Sequence, residues 1–180
     1  MEYSDVPLSR AYRLLHPKLV TVIGAASRGR ANLMPASWVM PASFDPPLLV
    51  AAVGSERYTL QLIREAGVFT VNPVGPDMAG KVAELGSMSG AEADKTRLVE
   101  IFPASTVDAP CLGGALACIE CLVDGMHEAG DHVLVVGKII HAKARALCFD
   151  AERMVYREGC WPVYHAGGRL YAGIGGYFEV

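Results

Sequence analysis

Short apolar runs separated by turn residues dominate the chain. Most of these runs are rich in β-branched residues or alternate between apolar and polar positions, which is typical of strands. The pattern predicts strands over residues 19–26, 31–40, 48–53, 68–74, 115–127 and 132–145, and a last hairpin over 163–174. Pro35 and Pro41 interrupt the second strand, and because proline donates no hydrogen bond, we expect them at an edge or a bulge.

Turns join many of these strands directly into hairpins. Residues 27–30 separate the first two strands, residues 128–131 separate the two longest, and Gly167-Gly168 turns the last hairpin. Strands and long helices do not alternate regularly, which argues against a doubly wound parallel sheet. The pattern favours a mainly β protein with short helices, folded as a closed antiparallel barrel. The length suits a single domain over residues 1–180.

Short helices interrupt the strand pattern. A helix after Gly54-Ser55 would bury Leu60 and Ile63 and end at Gly67, a suitable C-terminal cap. Three other helices are predicted: residues 9–15, ended by Pro17; residues 77–85, with Asp77 as a candidate N-cap; and a short helix near residues 94–100, after a polar loop.

Composition and charge narrow the classes of partner. Hydrophobic residues make up 52% of the chain, which favours a homo-oligomer that buries the surplus apolar surface. No apolar run reaches the length that spans a membrane, and residues 1–7 show no secretory signal pattern, so we expect a cytoplasmic protein. The net charge of -3 argues against nucleic acid as the main partner.

The five cysteines are interpreted as ordinary residues, because an odd count without a signal peptide does not suggest a disulfide framework. Cys118 and Cys121 have the C-x-x-C spacing of zinc or redox sites. However, residues three apart on a strand point to opposite faces, so two such thiols cannot readily share a metal. No histidine spacing indicates a zinc site either, and we predict no metal.

A candidate anion site follows the strand at 48–53. Gly54 and Ser55 end the strand, and a helix N-terminus offers free N–H groups that suit a phosphate. Arg57 and Thr59 add a charged fork and a hydroxyl in the first turn. Glu56 opposes an anion unless its side chain points outward. The alternative is an ordinary capped helix with an exposed arginine.

Two further segments carry candidate ligand contacts. Residues 32–38 combine small residues, Pro35 and Trp38 on one strand, so backbone groups freed beside the proline can bond a planar heterocycle. The alternative is a packed edge strand with Trp38 in the core. Residues 86–90, with the nearby Lys95, can close over an anionic ligand; the alternative is a flexible surface loop with a solvated lysine.

Eight segments, taken in order, resemble the flavin reductase-like, FMN-binding split-barrel family, and in particular its archaeal FMN-binding proteins, flavoredoxins and ferric reductases. Each is weak alone, but together they are specific and cover nearly the whole chain. They are DVPLSRAYRLL at 5–15, NLMPASWVMP at 32–41, SFDPP at 43–47, GSERYT at 54–59, FTVN at 69–72, SG at 89–90 with DK at 94–95, GDH at 130–132 with VG at 136–137, and PVYHAGG at 162–168.

The resemblance implies a homodimer of antiparallel, Greek-key split barrels that bind FMN near the subunit interface. It implies that the ring lies along the strand at 34–38, that the helix start binds the phosphate, and that loop residues complete the pocket. Trp38 departs from the smaller aromatic residue expected there. The residues to which the resemblance assigns FMN binding are Met34, Pro35, Ala36, Ser37, Trp38, Val53, Gly54, Ser55, Arg57, Thr59, Ser89, Lys95, His132 and His165.

These expectations lead to one functional hypothesis and two alternatives. The hypothesis is an NAD(P)H-dependent flavin or ferric reductase, in which reduced nicotinamide passes a hydride to flavin N5. The first alternative is a non-enzymatic, flavoredoxin-like electron carrier. The second is a structural or ligand-binding dimer whose flavin site is lost, and the intact Arg57, Thr59 and Lys95 count against it. Hydride transfer requires no protein acid or base, so the residue pattern assigns no catalytic side chain. No G-x-G-x-x-G follows a strand, so NADH or NADPH would bind without a Rossmann domain.

Overall fold

The computed structural model describes residues 1 and 3–176 and contains one large antiparallel sheet of seven strands. The strands are β1 (Thr21–Ser27), β2 (Arg30–Ala36), β3 (Val39–Ser43), β4 (Leu48–Gly54), β5 (Val68–Pro73), β6 (Ala117–Ala129) and β7 (His132–Ala144). Their order across the sheet is β2-β1-β5-β6-β7-β4-β3. The mainly β, antiparallel architecture predicted from the strand pattern is confirmed.

The two edges of this sheet, β2 and β3, are consecutive in the chain and joined only by Ser37 and Trp38. No ladder pairs these two strands in the described part of the chain, so the barrel has a seam there. The sequence pattern predicts one strand over 31–40, and that prediction is wrong: the strand is broken at Ser37. Pro35 keeps its register opposite Val22, and a bulge follows Pro41, as expected for prolines in a sheet.

Helices occupy the predicted regions with different starts. The α-helices are α1 (Tyr58–Ala66) and α2 (Ala79–Gly86), and the 3₁₀ helices are Leu8–Leu15, Pro76–Met78 and Lys95–Arg97. Gly67 ends α1 with a φ of 70°, a left-handed conformation that glycine adopts without strain. Asp77 is not the N-cap of α2, which begins after Met78, and α1 begins only after Arg57 rather than directly after Ser55.

Short strands complete the structure around the barrel. A three-stranded sheet joins the start of the barrel to the predicted last hairpin, and two small hairpins lie elsewhere. These strands are Lys18–Leu19, Ile101–Pro103, Pro110–Leu112, Phe149–Asp150, Val155–Tyr156, Tyr164–Gly167 and Leu170–Ala172. Within residues 1 and 3–176, no helix has the length and apolar character needed to cross a membrane.

The barrel interior is the larger of two apolar cores. Leu60, Leu62 and Ile63 of α1 pack there against strand residues such as Phe69 and Val135. Glycine is required at position 137 beside the Phe69 ring, because a Cβ atom there would lie 2.5 Å from Phe69 Cζ. A second core packs α2 against the first strands. Both cores contact β2, the strand on one side of the seam.

The cysteine prediction is wrong in one respect. Cys111 and Cys118 form a disulfide, and so do Cys148 and Cys160. The pairing depends on where the folded chain brings the Cα atoms, 6.0 Å and 5.1 Å apart, and cysteine count does not reveal this. Cys121 is free and buried, as the opposite-face argument requires, and burial followed by the charge of Glu120 raises its pKa to about 12.

A buried carboxylate fixes the loop before Pro110. Glu120 is fully buried and accepts hydrogen bonds from the amides of Ser105 and Thr106, at 2.8 and 2.6 Å. The Thr106 hydroxyl and His141 Nδ1 add contacts at 2.7 and 3.0 Å. Burial alone would raise the pKa of Glu120, but these hydrogen bonds lower it to about 2. Glu120 therefore serves the fold as a permanently charged anchor.

Candidate functional site

A cleft of about 410 Å³ opens at the seam of the barrel, between β2, the end of β4, the start of α1 and the loop after α2. This first cleft brings together the two places predicted to hold an anion and a planar ring, which lie on separate strands. Its lining residues are Asn32, Met34, Pro35, Ala36, Ser37, Trp38, Ala52, Val53, Gly54, Glu56, Arg57, Tyr58, Thr59, Gly86, Met88, Ser89, Gly90, Lys95 and His132.

Most of the predicted site residues line the first cleft, but Ser55 and His165 do not. The Ser55 amide donates to the Asp131 carbonyl at 3.0 Å, which continues the sheet past β4 and leaves the Ser55 side chain exposed. A turn closed by the Arg57 amide and the Gly54 carbonyl then delays the helix to Tyr58. The phosphate role of Ser55 stays a prediction, which would have to rest on its exposed hydroxyl, because its amide is engaged. His165 lies in a neighbouring cleft.

The cationic end of the first cleft is formed by Lys95 and Arg57. Lys95 is only 4% exposed, and its Nζ donates to the Leu85 carbonyl at 2.7 Å. No described carboxylate forms an ion pair with it. Burial lowers the pKa of Lys95, and the nearby charge of Arg57 lowers it further. A buried cation beside a second cation, with no counter-ion, is an arrangement that an anion in the cleft would stabilise.

Arg57 is the flexible partner at this end. It is the residue before α1, its side chain is exposed, and its Nε lies 3.0 Å from Glu56 Oε1. Glu56 lines the cleft, so the carboxylate that could repel a phosphate is instead paired with Arg57. Exposed pairs of this kind contribute little to stability, so the guanidinium is free to exchange this partner for a ligand.

A buried polar pair lies between the two ends of the cleft. Asn32 Nδ2 donates to Thr59 Oγ1 at 2.8 Å, and both side chains are buried. Because Thr59 Oγ1 accepts this bond, its own hydroxyl hydrogen remains available to a ligand acceptor. Asn32 Oδ1 is buried and has no partner, so it can accept a hydrogen bond from a ligand. Glycine is required at position 90, since a Cβ atom there would collide with the Asn32 amide.

The ring-sized part of the cleft is bounded by backbone and by one aromatic stack. The segment from Met34 to Ser37 forms one wall, and Pro35 brings no N–H group to it. Trp38 stacks on His132, with ring centroids 4.9 Å apart and planes 25° from parallel. Trp38 is therefore at the mouth of the cleft and outside both apolar cores, which answers the alternative left open by the sequence.

His132 is held in one tautomer by its neighbour. Its Nδ1 lies 2.7 Å from Asp131 Oδ1, and since a carboxylate only accepts, Nδ1 carries the proton. The hydrogen bond to His132, followed by its charge, lowers the pKa of Asp131. Nε2 of His132 is thus the nitrogen left for a ligand.

The lining residues to which no individual role was assigned lie within or next to the candidate segments. They are Asn32, Ala52, Glu56, Tyr58, Gly86, Met88 and Gly90. Asn32 is the first residue of one segment that carries the family resemblance, and Gly90 is the last residue of another. The close approach of these two residues is a tertiary contact that no local pattern reveals.

Comparison with known proteins identifies the fold family. A family model described as flavin reductase like domain matches residues 12–168. The chain belongs to this family. An FMN-binding protein from Thermus thermophilus has a TM-score of 0.89 at 28% identity, with 100% of this chain and 99% of that chain covered. Flavoredoxin from Methanosarcina acetivorans has a TM-score of 0.85 at 28% identity, with 100% and 95% covered. The split barrel is thereby confirmed.

Relatives in sequence belong to archaea and bacteria. An uncharacterized protein of Aeropyrum pernix is 33% identical over 159 residues, which cover 87% of this chain but only 57% of that protein. For a protein of Archaeoglobus fulgidus, 38% identical, the covered shares are 62% and 64%. The NADH-dependent FAD reductase of Streptomyces globisporus is 31% identical over 162 residues, which cover 84% of this chain and 75% of that enzyme.

Proposed function

We propose that this flavin reductase-like protein binds FMN in the first cleft. The observation that carries the proposal is Lys95, a buried cation that lines the cleft and has no counter-ion among the described residues. With Arg57 and the Thr59 hydroxyl, it would hold the phosphate at the start of α1. The ring would lie along the segment from Met34 to Trp38, at the other end of the same cleft.

The residues present suit this cofactor at each end. FMN needs cations and N–H donors at one end and a planar, partly polar surface at the other, and the first cleft has both. Its volume of about 410 Å³ lies within the range of cofactor sites. The unpartnered Asn32 Oδ1 supplies an acceptor between the two ends, where a ribityl hydroxyl could donate to it.

FMN, when bound, supplies hydride acceptance and the capacity to pass electrons on singly or in pairs. The protein itself would bind the cofactor, orient its ring and shield it from solvent. Lys95 and Arg57 fix the phosphate, the seam wall positions the ring, and the stack of Trp38 on His132 covers the mouth. The electron source in this proposal is NADH or NADPH, which is supported by the name of the related NADH-dependent FAD reductase of Streptomyces globisporus.

An anaerobic reduction experiment tests the reductase function. The purified protein is loaded with FMN, mixed with NADH or NADPH in a stopped-flow instrument, and followed by flavin absorbance. We expect rapid bleaching with at least one donor and no bleaching when the donor is oxidised beforehand. A flavin that stays oxidised with both donors would overturn the reductase function.

That outcome would favour the second candidate, an electron-transfer protein. Its support is the similarity to flavoredoxins from Methanosarcina acetivorans and Desulfovibrio vulgaris, with TM-scores of 0.85 and 0.86 at 28% and 25% identity. In that case FMN would bind tightly and be reduced by dithionite but by neither nicotinamide.

A homodimer is part of the proposal. Leu122 and Ile140, on neighbouring positions of the β6–β7 hairpin, are exposed at 41% and 38%. Such apolar pairs on an outer strand face suit a subunit contact. Light scattering during size-exclusion chromatography should give twice the chain mass, and a monomer would contradict this part of the proposal.

A further inference from the structure

The cationic end of the first cleft runs from a buried side chain to exposed ones. Lys95 is 4% exposed, whereas the side chains of Arg57 and Glu56 are 62% and 67% exposed. All three residues line the cleft. A phosphate bound against Lys95 would therefore lie at the inner side of this end, and Arg57 and Glu56 would lie between it and solvent. We call this outer side the opening.

Glu56 is held at the opening by contacts within its own turn. Its Oε1 lies 3.0 Å from Arg57 Nε. Both carboxylate oxygens also fold back over Gly54, the last residue of β4, since a Cβ atom built at Gly54 would lie 2.9 Å from Oε2 and 3.0 Å from Oε1. The Arg57 amide donates to the Gly54 carbonyl at 3.0 Å and closes the turn. The carboxylate therefore has a defined position beside the start of α1.

A carboxylate at this place is unexpected in a site that binds phosphate. Glu56 is the only acidic residue among the described residues that line the first cleft. It weakens the attraction of the site for any anion, so phosphate binding alone does not explain its presence. A guanidinium has five N–H donors, so Arg57 can bind a phosphate while its Nε stays paired with Glu56. The carboxylate can thus remain at the opening when a ligand is bound.

FMN and FAD carry a similar total charge but place it differently. The phosphate of FMN is a monoester, which carries about 1.5 to 2 negative charges near neutral pH. In FAD the corresponding phosphate is a diester with a single negative charge, and the other negative charge lies on the outer phosphate, next to the adenosine. In the first cleft, FAD would therefore give Lys95 a weaker partner. It would also bring a negative charge to the opening, where Glu56 would repel it.

We propose that Glu56 makes the first cleft selective for flavins whose phosphate is a monoester, and that it disfavours flavin dinucleotides such as FAD. Lys95 and Arg57 attract both kinds of flavin, and Glu56 repels the outer phosphate of the dinucleotide. The inference rests on the proposed FMN site and adds to it the residue that sets the choice of flavin.

Two substitutions change the charge at this position in steps. Glu56→Gln keeps the size of the side chain and removes its charge, and Glu56→Lys reverses the charge. Both variants should fold, because the Glu56 side chain is exposed and an ion pair with an equally exposed arginine contributes little to stability. Glu158→Gln is the matched control, since Glu158 is an exposed glutamate that lines neither the first cleft nor the neighbouring one.

The measurement is calorimetric titration of each apoprotein with FMN and with FAD, expressed as the ratio of the two dissociation constants. We expect the wild type to bind FMN more tightly than FAD by at least about tenfold, because FAD weakens a charge-assisted contact and adds a repulsion. Glu56→Gln should narrow this ratio about threefold to fivefold, the size of an interaction between partly exposed charges. Glu56→Lys should narrow it further, and Glu158→Gln should leave it unchanged.

Several results would overturn the inference. A wild-type protein that binds FAD as tightly as FMN would lack the selectivity altogether. A ratio that is unchanged in both Glu56 variants would assign the selectivity to the shape of the cleft. Variants that bind both flavins more tightly by the same factor would show that Glu56 only competes with phosphate for Arg57. A wild-type protein that binds neither flavin would instead refute the proposed function itself, so the two failures are distinguishable.

Discussion

Replacing Lys95 with methionine removes the buried cation of the first cleft while keeping a long, unbranched side chain. Two effects on the apoprotein oppose each other. The Leu85 carbonyl loses a hydrogen bond from a charged donor, worth about 1.5–3 kcal/mol. In the wild type, burial and the nearby charge of Arg57 disfavour the charged form of Lys95. The methionine variant avoids this unfavourable contribution. Because these effects oppose each other, we expect the free energy of unfolding to change by only about 1 kcal/mol.

FMN binding should respond far more strongly than stability. The lost contact between ammonium and phosphate is charge-assisted and buried, so its removal should cost about 1.5–3 kcal/mol, a roughly tenfold to hundredfold weaker affinity. The pH dependence of FMN binding provides a second test of the same assignment. Below its lowered pKa, Lys95 is charged and binds phosphate; as the pH rises through that pKa, wild-type affinity should fall, and the fall should be absent in Lys95→Met.

The assay combines urea unfolding of the apoprotein with fluorescence titration of FMN at several pH values. Lys138→Met is the matched control, because Lys138 is exposed on β7 and lines neither cleft. An affinity in Lys95→Met equal to that of the wild type, with an equal pH profile, would refute the phosphate role of Lys95. A loss of affinity accompanied by an unfolded apoprotein would show instead that the residue is structural.

Three further predictions follow from named contacts. Thr59→Val leaves Asn32 Nδ2 without its acceptor in a buried position, so urea unfolding should show a loss of about 1–3 kcal/mol that Thr59→Ser largely avoids. Arg57→Ala should weaken FMN binding roughly tenfold to hundredfold in a fluorescence titration while Arg30→Ala leaves it unchanged; equal affinities would place the phosphate elsewhere. The pKa of Glu120 is about 2 in the folded protein, against 4.5 for a free carboxyl. The ionised carboxylate therefore stabilises the folded state fully above pH 4.5, and this stabilisation is lost as the pH falls to about 2. Unfolding measured along that pH range should show a decline of roughly 3 kcal/mol in the wild type that is missing in Glu120→Gln.

Much of the fold could be predicted from local sequence patterns. The two longest strands, the hairpin turns and the C-terminal cap at Gly67 depend on alternation and on glycine conformation, which act over a few residues. The break at Ser37 was not predictable in this way. Residues 31–40 look like one strand, and only the closure of the barrel decides that the chain must leave one edge and start the other.

The candidate site likewise contains some residues that could be identified from the sequence and others whose positions depend on the tertiary fold. Arg57, Thr59 and Lys95 were identifiable as residues suited to an anion, because their chemistry is evident from their type. Ser55 and His165 stay predictions, because neither lines the first cleft. The Ser55 amide is engaged by Asp131, a residue that lies far along the chain, and His165 lines the neighbouring cleft; no local pattern reveals either placement.

Disulfides and buried contacts depend still more on the folded chain. Cys111 lies on the short strand Pro110–Leu112 and Cys118 lies near the start of β6, and a residue count cannot show that the fold brings their Cα atoms to within 6.0 Å. The close packing of Gly90 on the Asn32 amide is likewise invisible until both segments are in place.

We propose that the first cleft binds a phosphate at the start of α1 and a flavin ring along the seam. Calorimetric titration of the apoprotein with FMN and with riboflavin, which lacks the phosphate, separates these two contributions. We expect one FMN per chain and a riboflavin affinity weaker by at least about tenfold, the effect of losing charge-assisted contacts to Lys95 and Arg57. Equal affinities for the two flavins, or no binding of either, would contradict it.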